Sequence, residues 1–147
     1  KIAVAGSSPG KTTVGAAPDA VFRADHPVVL SIEANDARFV RVIVHRSSGG
    51  EPCLDEVEVY TPGSDANLAL AARGAKATAS SCLAGYPIHK VDHLNDGRHG
   101  NNHSWIAAGS GREWAQVELP TAAKIDRVVV SRDREGNFHD RVPIDIE

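Results

Sequence analysis

The chain has 147 residues, the length of one ordinary domain. It sets 16 Lys+Arg against 19 Asp+Glu, a formal charge of −3, which excludes a globally basic surface for nucleic acid or an anionic membrane. With 41% hydrophobic and 24% charged residues it has the composition of a packed globular chain, and no apolar run nears the ~20 residues that span a bilayer.

Taken in chain order, apolar segments at 1–5, 28–33, 39–45, 53–60, 75–80, 114–118, 124–131 and 144–147 read as strands. Several alternate with period two. Val40, Val42 and Val44 face one way, with Phe39, Arg41 and Ile43 facing the other; Val57 and Val59 alternate with Glu56, Glu58 and Tyr60. Clusters of Gly, Pro, Asn, Asp and Ser separate the strands, as at 47–52 and 61–65. Helical periodicity is nearly absent, and its best candidate, 67–76, is interrupted by Gly74. About eight short strands without helices between them predict a single all-β domain over 1–147, a β-sandwich or jelly roll.

Residues 5–12, AGSSPGKT, come close to a phosphate-binding loop. Such a loop must open a long helix, and Gly15 and Pro18 leave no room for one, so the segment is expected to be a hairpin turn. Ser7, Ser8, Ser80 and Ser81 stand in no pattern that activates a nucleophile, and the scattered carboxylates form no acid–base pair, so no enzyme is expected. Cys53 and Cys82 are too few for a disulfide framework or a four-Cys zinc site. His89, His93, His99 and His103 crowd one stretch, but their spacing matches no zinc pattern.

Residues 67–81 (NLALAARGAKATASS), 91–107 (VDHLNDGRHGNNHSWIA) and 114–135 (WAQVELPTAAKIDRVVVSRDRE) resemble, in that order, the opening, the Asp-Gly loop and the following strand pair of discoidin-type domains. These are galactose-binding-like jelly rolls, a group that includes coagulation-factor C domains and bacterial carbohydrate-binding modules. Residues 1–14 resemble a later strand of that family, and 37–60 its closing pair. Family order is restored when 1–60 is placed after 147, with 61–66 as the linker. The chain thus looks like a circular permutation, and the strand at 144–147 should meet the one at 1–5.

The resemblance implies a non-catalytic carbohydrate-binding module within a larger extracytoplasmic protein, extracellular or periplasmic. The alternative is a module that docks other domains or proteins. It implies a structural calcium ion held by Asp96 and Glu56, helped by Asn101, Ser104 and the His93 carbonyl; otherwise the stretch is a solvated turn without metal. It implies a sugar site at Arg132 with Arg134, Asn137 and His139, walled on the other side by Tyr86 and His89. Phe138 lies close by, and Arg132-Asp133-Arg134 could equally be a salt-bridged turn. Ile106 follows Trp105 where galactose-binding relatives place a His. It implies, finally, a disulfide between Cys53 and Cys82, which would put the chain in an oxidising compartment.

Overall fold

The computed structural model describes residues 23–147 and the backbone of strands 2–5 and 11–14. Its strands are β1 (Ile2–Ala5), β2 (Lys11–Val14), β3 (Val28–Ser47), β4 (Cys53–Leu54), β5 (Glu56–Tyr60), β6 (Lys76–Ala79), β7 (Trp105–Ile106), β8 (Glu113–Ser131) and β9 (Pro143–Ile146). Among the described residues helical structure is confined to 3₁₀ turns at Ala71–Arg73, Val91–Asn95 and Asn101–His103. No helix there is long and apolar enough to cross a membrane.

The long strands β3 and β8 pair antiparallel from Val28↔Val130 at one end to Val44↔Glu113 at the other. Their register shifts between Ser31 and Asn35 and again between Ala37 and Phe39, so the ribbon is creased midway. On its other edge β8 changes partner across the crease: residues 115–118 pair with β6, residues 127–131 with β5. The antiparallel sheets therefore curl around one core. Val40, Val42, Val44, Ala115 and Val117 come from one half of the ribbon and its neighbours; Leu30, Val57, Val59, Val128 and Val130 come from the other. Trp105, Leu54, Leu94, Leu119 and Ile125 fill the space among them.

The sequence pattern predicts four strands where the fold has two. Asn35-Asp36 and Pro120-Thr121 carry turn chemistry, yet β3 and β8 run through both. Pro120 faces the register shift, where the ladder requires no N–H, so it is tolerated inside the strand. The predicted alternation holds on the core side, with Val40, Val42 and Val44 fully buried. Burying each contributes ~1.5–3 kcal/mol.

β1 and β9 share one edge of β3. Glu147 exchanges both backbone hydrogen bonds with Ile43, at 2.6 and 2.7 Å, and the next β3 residue, Val42, pairs with Ile2. The two strands thus lie end to end, the arrangement expected of the rejoined order; Lys1 itself lies outside the described residues. Residues 6–10, the centre of the phosphate-loop look-alike, also lie outside them. Lys11–Val14 is a strand that returns antiparallel on β1, with Ala5 opposite Lys11, where a phosphate loop demands a helix.

The expected disulfide does not form: Cys53 and Cys82 are both free thiols. Cys53 is sealed in the core on β4, opposite Ile106. The Cys82 thiol instead donates to the carbonyl of His89 at 3.4 Å. With the bond goes the residue-level argument for an oxidising compartment.

Candidate functional site

The buried polar groups concentrate where β4 turns into β5, and two loops close over that bend. The first loop, 91–104, contains two of the 3₁₀ turns and is pinned by Asn95, which is buried and donates to the Ala69 carbonyl at 2.7 Å. Between the turns, Gly97 (φ 77°) and Gly100 (φ 93°) adopt the left-handed backbone that glycine alone tolerates cheaply. The second loop, 132–142, joins β8 to β9.

Asp55 ties both loops to the sheet. Its carboxylate accepts from the Gly100 and Arg134 N–H groups, each at 2.9 Å, and from the Ser131 hydroxyl. Its own N–H donates to the Ser131 carbonyl at 3.0 Å. Asp133, equally buried, closes the second loop by accepting from the N–H groups of Phe138 (2.8 Å), Asn137 (3.0 Å) and Glu135 (3.2 Å). Asp55 does not stand out in the sequence, and Asp133 does so only as the centre of the Arg132-Asp133-Arg134 turn.

Glu56 and Glu58 point away from Val57 and Val59 yet are also buried. Glu58 pairs with Arg134 at 2.9 Å and lies 3.6 Å from His99. Glu56 accepts only long contacts, 3.3 Å, from the Gly97 N–H. Burial, and then the Asp96 charge beside it, push its carboxyl up to about 9. The fold thus brings together Glu56 and Asp96, the two main metal ligands expected. Two of the other expected oxygens are engaged elsewhere. Asn101 Oδ1 accepts from Arg132 at 3.2 Å, and the Ser104 hydroxyl sits between the His89 ring (2.9 Å) and the Asn101 carbonyl (2.7 Å). Beside Asp96 stand the rings of His93 and His103 instead. Calcium draws about six to eight oxygens, and here two imidazoles stand beside the two carboxylates.

The expected sugar residues fall into a linked set, Arg132, His89 and Tyr86, and three outliers, Arg134, Asn137 and His139. Arg132 is buried and held flat: Nε donates to the Asp140 carbonyl (2.8 Å), Nη2 to Asp140 Oδ1 (3.1 Å) and Nη1 to Asn101. Its guanidinium lies 5.9 Å from the ring centroid of Phe138, which is 46% exposed. From Asn101 the chain of contacts continues through Ser104 to His89, whose ring is 5.9 Å from that of Tyr86, 56% exposed. His89 is held below the usual histidine range by burial and then by the Arg132 charge. It is therefore neutral at pH 7: Nδ1–H donates to Ser104, whose hydroxyl donates onward, leaving Nε2 an acceptor. Arg134 is turned away to Ser131 and Glu58, and Asn137 and His139 are exposed on the loop.

Comparisons with protein-family models, with curated proteins and with solved structures find no match to this chain.

Proposed function

We propose that this chain is a non-catalytic carbohydrate-binding module: a discoidin-like, galactose-binding-like jelly roll in permuted order, working outside the cytoplasm beside other domains of a larger protein. One observation carries the reading. An exposed aromatic, Phe138, lies against a rigidly held arginine, and a second exposed aromatic, Tyr86, stands at the far end of the same chain of contacts. Sugars are bound by such pairings, an apolar ring for the C–H face and fixed polar groups for the hydroxyls. Arg132 and His89 are buried behind the two rings, and the polar side chains exposed next to Phe138 are Asn137 and His139. The jelly-roll order and the extracytoplasmic setting rest on the family resemblance. This reading does not depend on a bound ion.

A glycan array probed with the full chain tests it. Phe138→Ala and Tyr86→Ala, both at exposed positions, should each weaken the best array hit by about tenfold while leaving Tm unchanged. A silent array, or hits indifferent to both substitutions, overturns it. The docking alternative is favoured by the outer face of β3, β5 and β8, where Val29 is 55% exposed beside Tyr60 and Arg127. A partner whose binding is lost in Val29→Asp and kept in Phe138→Ala would establish that reading instead.

A further inference from the structure

We propose that His93, Asp96 and His103 form a binding site for a divalent transition ion of the zinc class. The three side chains each present one donor atom, and these lie within 4.8 Å of one another. His93 and Asp96 are three apart on one 3₁₀ turn, but His103 lies seven positions beyond Asp96; the 3₁₀ turns on either side of Gly97 and Gly100 bring it to the same point.

Two of the three, His93 and Asp96, are aimed by a partner on the far side. His93 Nδ1 lies 3.0 Å from the Ile88 carbonyl and 3.3 Å from the Ser104 carbonyl. Both are acceptors, so Nδ1 carries the proton and Nε2 is left as a bare lone pair. A backbone carbonyl on the second ring nitrogen is how metal-binding histidines are oriented. Asp96 Oδ1 accepts from the Arg98 N–H at 2.8 Å, which leaves Oδ2 free. That Oδ2 lies 3.4 Å from His103 Nδ1. His103 Nδ1 is buried and has no hydrogen-bond partner.

The 3.4 Å separation is compatible with a shared ion. A charge-assisted N–H···O bond is shorter, about 2.7–2.9 Å. Two donors on one tetrahedral zinc, at bond lengths near 2.05 Å, stand roughly 3.3 Å apart. The His103–Asp96 spacing matches two ligands of a shared ion. Two imidazoles and one carboxylate are a zinc-type donor set, and the fourth position is accessible because Asp96 and His103 are only partly covered. Nickel and cobalt take the same donors; calcium does not.

The test titrates the chelator-stripped full chain with ZnCl2 and, separately, CaCl2, reading heat of binding and Tm, with CoCl2 added for its visible absorption. The expected results are one Zn2+ per chain, a raised Tm, and a tetrahedral Co2+ spectrum. His93→Ala and His103→Ala should each weaken Zn2+ binding by at least about tenfold, and His99→Ala, on Glu58, should leave it unchanged. If an alanine variant does not fold, His93→Gln and His103→Gln replace it with the same expectation. Zinc binding that survives both substitutions overturns the proposal, as does a chain that binds Ca2+ and not Zn2+ or one that binds neither.

Discussion

Asp55 is the residue on which the site depends most. Three donors from two loops and the end of β8 converge on one buried carboxylate, and none of them has another described partner of that strength. Asp55→Ala strands the Gly100 and Arg134 N–H groups in the interior and frees both loops. The expected loss is about 3 kcal/mol, measured by urea denaturation. Asp55→Asn, which keeps one acceptor oxygen, should lose less. The thiols offer a second check at this scale. Burial pushes the Cys53 thiol up to about 11, so it stays protonated across the range where a thiol reagent needs thiolate. At pH 8 the folded chain should react at Cys82 only, and Cys53 should be counted only after unfolding. The direction is that of a raised pKa: Cys53 reactivity in the native state rises only as the pH nears 11. Reductant should leave Tm unchanged, since no disulfide exists to break.

At the scale of elements, the creased β3–β8 ribbon is what everything else attaches to. Its outer face is stapled by cross-strand pairs as well as by the ladder. Arg41 lies 4.2 Å above the ring of Trp114 and donates to Gln116 at 2.9 Å. Arg127 lies 4.4 Å above Tyr60, its direct partner in the β5 pairing. Such stacked cations contribute about 0.5–1 kcal/mol at half-exposed sites. Arg41→Ala should therefore cost about 1 kcal/mol, counting the lost hydrogen bond and the lost cover of the indole, and Arg41→Lys should recover part of it. A thermal melt resolves a change of that size. A loss no greater than that of an exposed control such as Arg46→Ala would show that the ladder alone holds the ribbon.

At the scale of the whole molecule, β9 and β1 form one broken line along β3. Joining Glu147 to Lys1 through a short Gly-Ser linker and opening the chain at Pro62–Gly63, both exposed, should give a protein whose Tm is no lower than the parent's. The same join opened between Val57 and Glu58 should not fold, because it cuts a strand whose residues are all buried or nearly so. A well-folded second permutant together with an unfolded first would contradict the end-to-end placement.

Local alternation and turn chemistry made the strand class, the core valines and the two polar loops legible in the sequence. Period-two burial needs only nearest neighbours along the chain, and Val40, Val42, Val44, Val57 and Val59 announce it unaided. Arg132, Phe138, Asp96 and Glu56 could be singled out as well, because each belongs to a short string of residues with a recognisable order. What only the tertiary structure decided depends on partners far away in the chain. The ribbon continues through Asn35-Asp36 and Pro120-Thr121 because two register shifts meet at one crease. Asp55 becomes a hub through donors 45, 76 and 79 residues distant. Cys53 and Cys82 stay apart because one thiol is sealed into the core and the other turns to a carbonyl. His93 and His103 reach Asp96 because two left-handed glycines bend the loop back on itself, a geometry that spacing alone does not encode.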